Sequence, residues 1–318
     1  MFASIPSPSS GILQLGPLQF TAYGLMIALG VIAAVELSRR RWAARGGDPE
    51  DVSAIALWAV PAGLVGARLY HLLTDWKDYV DRPADMVKIW EGGLGIPGGM
   101  AGGILVGIWA AKRRNVGLAD MLDTVAPALP LAQAIGRWGN WWNQELFGGP
   151  TDLPWGLEIA EEHRPGEHLG SATFHPTFLY ESLWNLALVA VLLRIDQRRI
   201  VPRGRLIGIY IAGYGLGRLW IEAMRIDRAS LILGVRVNIW MSLALLVGGA
   251  AIVFAGRRRS GTDIDLDGTD IDLDVEGAEA VGDTSDGSPS ELAELPAPTG
   301  HGSVDDSDRD TGSSTPNG

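Results

Sequence analysis

The 318-residue chain contains no cysteine. That excludes disulfides, thiol nucleophiles and thiolate metal sites built from the chain itself. It also lacks metal-ligand spacings, a nucleophile triad and a phosphate-cradling loop of the nucleotide type, so neither a metal nor a cofactor is expected. Nucleic acid is not an expected partner. No cleavable leader is expected from residues 1–19, which have no positive n-region and carry Pro6, Pro8 and Pro17. The first apolar segment is therefore expected to serve as its own insertion signal.

What the chain does have is apolar bulk. Hydrophobic residues make up 47%, together with 42 glycines and 12 tryptophans. Glycine inside apolar segments and tryptophan near their ends are marks of a membrane protein. The formal charge of -11 divides unevenly. Residues 260–318 hold 16 acids and one base (Arg309), and the remaining body holds 21 acids and 25 bases. The body is thus mildly basic, at +4, and the tail strongly acidic, at -15. The tail repeats a Thr-Asp-Ile-Asp-Leu-Asp run at Thr262 and Thr269, then turns to Ser, Gly, Asp and Pro. Such a composition cannot bury a core, and it predicts a disordered cytoplasmic segment.

A bilayer core about 30 Å thick needs roughly 20 mainly apolar residues per helix. Segments of this kind are Phe20–Leu37, Val52–Leu73, Leu94–Ala111, Met121–Ile135, Thr177–Ile195, Leu206–Ile221 and Asn238–Ala255. The fourth contains Asp123, Pro127 and Pro130, so it is expected to be broken and buried within protein. Seven spans put 15 basic residues in one set of loops and 8 in the other, which holds the N-terminus. The bias predicts an outside N-terminus and a cytoplasmic C-terminus. Dropping the fourth span would scatter the basic clusters over both sides. The predicted fold class is an all-α polytopic membrane protein. It has seven transmembrane helices and a small periplasmic head in residues 136–175. Residues 1–259 form the membrane domain, and 260–318 the tail.

Charges inside such spans are costly, at least about 2.5–3.5 kcal/mol near the centre, so each needs a partner or a task. Arg68 has His71 and Asp75 within two turns. Arg218 has Tyr214 at i−4 and Glu222 at i+4, a polar stripe on one face. The densest cluster runs from Gly136 through Arg137, Trp138, Gly139, Asn140, Trp141, Trp142 and Asn143 to Glu145. Arginine offers a planar fork of donors suited to phosphate, and tryptophan suits headgroup depth. Glu145 is either a base or a partner for Arg137. The cluster points to an anionic lipid headgroup, or more plainly to a tryptophan-anchored interfacial loop. Tyr23, His175 with Tyr180 and Glu181, and the glycine run from Gly92 to Gly99 are further candidates.

At these residues the sequence resembles the bacterial prolipoprotein diacylglyceryl transferase family, from about Ile12 to Gly256. Gly136-Arg137-Trp138-Gly139-Asn140 with Asn143 and Glu145 is similar to the family's Gly-Arg-x-Gly-Asn signature. Tyr23-Gly24, Gly66-Ala67-Arg68, His175-Pro176 with Tyr180-Glu181, and Tyr214-Gly215 with Arg218 and Glu222 follow in order. The resemblance implies transfer of the diacylglyceryl group of phosphatidylglycerol to the lipobox cysteine thiol of a prolipoprotein signal peptide. The lipid becomes thioether-linked and glycerol phosphate is released. It further implies a multi-pass enzyme of the bacterial inner (plasma) membrane, for which a monomer suffices. Arg137, Arg218, Glu145, Glu222 and His175 are the implied catalytic set. Arg137, Asn140, Tyr23, Arg68, Tyr214 and Gly148 are the implied substrate contacts. One departure stands out. Where the family commonly has His-Gly-Gly, this chain has Pro97-Gly98-Gly99, and proline cannot accept a proton. A seven-helix transporter of an anionic solute is the alternative, although no internal repeat of the kind such transporters show is visible.

Overall fold

Chain direction is set first by caps and prolines. In this computed structural model, which describes residues 4–15, 18–89 and 92–255, a hairpin of β1 (Ile12–Leu15) and β2 (Leu18–Thr21) leads into α1 (Ala22–Ala44). The Thr21 hydroxyl accepts from the Gly24 N–H at 3.1 Å and caps that helix. Phe20, expected to open the first span, lies instead in β2. Asp48 caps α2 (Pro49–Thr74), and Pro49 occupies its first turn, where no N–H is needed.

Helix α3 (Ile96–Arg113) starts after Gly95, with Pro97 likewise in the first turn. It packs on α2 through facing glycines. A Cβ on Gly66 or Gly98 would collide with the other's carbonyl, and one on Gly63 would lie 3.3 Å from the Gly99 oxygen. The glycine run is thus a helix-packing surface, in which the two backbones approach closely.

The fourth apolar segment breaks as its prolines predict. It becomes α4 (Leu118–Val125) and α5 (Ala128–Gly136), and α6 (Trp138–Asn143) follows just beyond it. Pro127 has no N–H to offer the Asp123 carbonyl. Buried Arg41 on α1 satisfies it instead, donating to the Asp123 and Thr124 carbonyls at 3.0 and 2.9 Å. The Asp123 carboxylate in turn accepts from the Gly204 and Ile207 N–H groups at 2.6 and 3.2 Å. It thereby closes the N-terminus of α8 (Leu206–Met224).

The remaining long helices are α7 (Thr177–Gln197) and α9 (Val237–Ala255). Among the described residues, four helices are long and apolar enough to cross a membrane: α1, α2, α7 and α9. Many large apolar side chains face outward, with Leu57 72% and Val247 67% exposed. Contiguous apolar exposure of this kind fits lipid rather than water as the surrounding medium.

A small head of loops, short strands and two 3-10 turns separates α6 from α7. Its antiparallel strands β3 (Leu157–Glu158) and β4 (Thr173–Phe174) pair over a core of Phe147, Leu157, Ile159, Phe174 and Phe178. A second hairpin, β5 (Leu231–Ile232) and β6 (Val235–Arg236), joins α8 to α9 and turns at Gly234, whose φ is +75°. The expected tail, residues 260–318, lies outside the described residues.

Candidate active site

Arg137 stands at the junction of α5 and α6, with helical backbone angles that let one short helix run into the next. Its neighbour Gly139 has a local reason. A Cβ there would sit 3.0 Å from Tyr23 Cα and nearer still to the Tyr23 ring, so glycine lets α6 lie directly on α1. Tyr23 is exposed and lies within electrostatic reach of Arg137 and Glu145.

Arg137 Nε binds Glu181 Oε2 on α7 at 2.6 Å. The other oxygen, Oε1, accepts from Arg218 Nη1 on α8 at 2.8 Å. One carboxylate, 3% exposed, therefore joins the two arginines. Arg218 Nη2 reaches Glu222 Oε2 at 2.7 Å, the i,i+4 pair legible in the sequence. Glu222 is 0% exposed and also meets Arg236 Nε at 2.6 Å, Arg225 Nη1 at 3.3 Å and Asn238 Nδ2 at 3.0 Å. Asp227 closes the array: Arg225 grips it with both Nε and Nη2, at 2.7 and 2.8 Å, and Arg236 adds a contact at 3.2 Å. Four arginines thus face three carboxylates. Arg225 and Arg236 are bonded to both Glu222 and Asp227, and the Arg137, Arg236 and Arg218 side chains are 21%, 17% and 13% exposed.

Asp227 lies outside the apolar helices. Burial pushes its carboxyl upward most strongly, but hydrogen bonds from Arg225 and the charges of Arg225 and Arg236 outweigh this and hold it below its ordinary value.

The Asn140 amide is spent locally. It donates to Glu145 Oε1 at 2.8 Å, and its oxygen lies 3.4 Å from Arg137 Nη1. Glu145 is thus linked to Arg137 through Asn140 rather than directly, and Asn143 Nδ2 adds a bond at 3.1 Å. Glu145 is exposed and borders a cleft of about 430 Å³ with Asn143, Phe147, His163, Ile226 and Asp227. Gly148 sits between the chain at His175 and the end of α8. Its N–H bonds the His175 carbonyl at 3.0 Å, and a Cβ would lie 2.8 Å from His175 Cβ and 3.1 Å from the Met224 oxygen. The His175 ring pairs with the Tyr180 hydroxyl at 3.2 Å. Tyr214 stacks on Tyr210 and borders a small cavity of about 10 Å³, room for one water, with Glu181, Asn185 and Arg218. Within it the buried Asn185 Oδ1 makes no hydrogen bond.

Arg68 belongs to a different cluster. It donates to the carbonyls of Met86, Gly92, Gly93 and Asp85 at 2.9, 2.8, 3.1 and 2.5 Å, and it lies over the Tyr79 ring. Four carbonyls satisfy its fork, so the expected headgroup contact is, in this arrangement, a clamp on the connection between α2 and α3. The sequence reading gave no part to Arg225, Asp227 or Arg236, and it named Glu181 beside His175 and Tyr180 without a role. A glutamate within an apolar span is itself a functional signal, and that signal marked Glu181.

A family model described as prolipoprotein diacylglyceryl transferase matches residues 10–255. The chain belongs to the prolipoprotein diacylglyceryl transferase family. It is 52% identical over 268 residues to the phosphatidylglycerol–prolipoprotein diacylglyceryl transferase of Frankia alni, covering 83% of this chain and 70% of that protein. It is 47% identical to the enzyme numbered 2 of Streptomyces coelicolor, covering 92% and 91%. With the Corynebacterium glutamicum enzyme it shares 48% identity, covering 79% and 84%. Every segment that carries the resemblance falls inside the matched family region. The transporter alternative loses its ground, because these relatives carry a transferase name throughout.

Proposed function

We infer that this member of the prolipoprotein diacylglyceryl transferase family transfers the diacylglyceryl group of phosphatidylglycerol to the lipobox cysteine thiol of a prolipoprotein. The observation that carries the reading is the pair Arg137 and Arg218, brought from two parts of the chain onto the buried Glu181. In the reaction the sulfur attacks the glyceryl carbon bonded to the phosphate oxygen. The C–S bond forms as the C–O bond breaks, and the phosphodiester monoanion becomes glycerol phosphate, a monoester that leaves with the C–O electron pair as a second negative charge. Negative charge grows on the phosphate in the transition state, and preorganised cations away from water stabilise it. Arg137 and Arg218 supply those cations, with Tyr23 and Tyr214 at the edges of the site.

The thiol proton needs an acceptor. Glu222 is enclosed by three arginines and an amide, so its lone pairs are committed. Glu145 is exposed, has only amide partners and borders the open cleft. Glu145 is therefore the base we assign, and the cleft receives the lipobox segment. Asn140 orients Glu145 and Arg137 relative to each other. His175 shapes the head and is not required as the base. Pro97, in the first turn of α3, leaves that helix without a proton acceptor at the family's histidine position.

The fold reading is seven spans, with α4 and α5 together making the broken fourth. The head and the N-terminus lie outside, and the C-terminus is cytoplasmic. Loop charges and the apolar outward faces support it. Residence in the bacterial plasma membrane follows from the two substrates, and a monomer contains every site residue named.

The test is incubation of membranes holding the protein with phosphatidylglycerol and a lipobox peptide, followed by mass measurement. A diacylglyceryl addition is expected, and both Arg137→Ala and Arg137→Lys should abolish it while the protein stays in the membrane. Substantial activity in either variant sinks the assignment.

A further inference from the structure

The charges around Glu181 divide into two groups. Arg225 and Arg236 with Glu222 and Asp227 form a quartet with no net charge, joined to the other group where Arg218 Nη2 reaches Glu222 Oε2 at 2.7 Å. Arg137, Glu181 and Arg218 form the inner triad, at +1. Glu145 stands apart from it behind the Asn140 amide. Tyr23, Tyr180, His175 and Tyr214 are the remaining titratable groups nearby, and none adds a fixed charge to the triad.

We propose that Glu181 is a positioning residue that also sets the charge of the headgroup site, so that it matches a phosphodiester monoanion and disfavours the phosphomonoester dianion formed from it. This rests on the headgroup reading of the site. A site at +1 neutralises the single charge of the bound lipid. After the C–O bond breaks, the phosphate carries close to two charges above a second pKa of about 6. One of them is then unbalanced in a partly buried place, and the product leaves. Without Glu181 the site would stand at +2. It would hold the developing charge more strongly and would also retain the product, so that release would limit turnover. Two guanidiniums without the shared carboxylate would also repel each other, which is why the same residue positions them.

The experiment uses the full-length protein in phosphatidylglycerol-containing nanodiscs. Inhibition by glycerol phosphate, the monoester, is compared with inhibition by glycerophosphoglycerol, a monoanion at every pH used. Taking their ratio at each pH cancels effects of pH that weaken both anions alike. In the wild type the monoester gains on the diester as pH falls from 8 to 5.5, a range chosen to bracket a second phosphate pKa of about 6. In Glu181→Gln the monoester at pH 8 should gain about tenfold or more, and an initial burst of product should precede slower turnover. Glu181→Asp, which keeps the charge, should restore the wild-type ratio. A wild type that prefers the monoester at pH 8 overturns the proposal, whatever the variant's folding. So does a well-folded Glu181→Gln protein with an unchanged ratio, because a purely structural carboxylate would weaken both anions together. If neither anion competes with phosphatidylglycerol in the wild type, the headgroup reading fails first and this proposal falls with it.

Discussion

Replacing Glu222 with Gln should lower stability far more than any other single change of one atom in the site. The side chain is fully buried and holds Arg218, Arg225, Arg236 and Asn238 within 2.6–3.3 Å. Gln keeps the shape but loses the charge, and it turns an N–H group toward guanidinium donors. Three arginines are then left against Asp227 and Glu181. Breaking a buried ion pair by removing one partner costs about 3–5 kcal/mol. For a folded body of this length, about 2–4 °C is lost per kcal/mol, so the melting temperature should fall by roughly 6–20 °C. The assay is thermal unfolding of purified protein in one detergent at one heating rate, beside Glu145→Gln as a control. Glu145 is exposed and bonded only to amides, so its variant should melt close to wild type and lose transfer activity instead. A Glu222→Gln protein melting within about 2 °C of wild type would refute the reasoning. It would show that water or a rearranged quartet already balances the three arginines.

Other outcomes follow from the same geometry. Gly139→Ala should cut transfer at least tenfold, on the order of 1.4 kcal/mol, because its Cβ meets the Tyr23 backbone; unchanged kcat/KM would show that α6 can shift freely. Pro97→Ala should keep most activity, and a loss as deep as that of Arg137→Ala would contradict the view that α3 contributes no base. Asp227 is held below its ordinary carboxyl value of 3.8, so its stabilising contribution is complete above that pH and is lost as pH falls through the lower folded value. Acid unfolding scans below about pH 4 should therefore steepen in the wild type and flatten in Asp227→Asn; parallel curves would exclude this linkage. Arg68→Gln should expose the connection from Trp76 to Gly95 to protease before it alters phosphatidylglycerol affinity, whereas the reverse order would return Arg68 to the headgroup site.

Much of this protein is written locally. Apolar length, glycine and the loop charges marked the membrane body, because lipid imposes period, length and backbone satisfaction on any single segment. Pro127 announced the break between α4 and α5 for the same reason: a missing N–H is a property of one residue. The Arg218–Glu222 pair was legible because both ends lie one helical turn apart. The signature around Arg137 was legible as a motif, and with it the family.

The partners of that motif were not. Arg137 takes Glu181, 44 residues away, instead of Glu145, 8 residues away. Asn140 spends its amide inside the loop. Arg236 looked like an ordinary loop charge until the β5–β6 hairpin folded it onto Glu222, which Arg225 also meets from the end of α8. Arg68 looked like the companion of Arg218 until its fork closed on four carbonyls. Sequence spacing determines which residues can meet along one helix; which helices meet, and therefore how many charges share one buried place, is decided only when the chain packs. The surplus charge of the Arg137 site is a sum over groups on separate elements, and only tertiary structure brings its terms together.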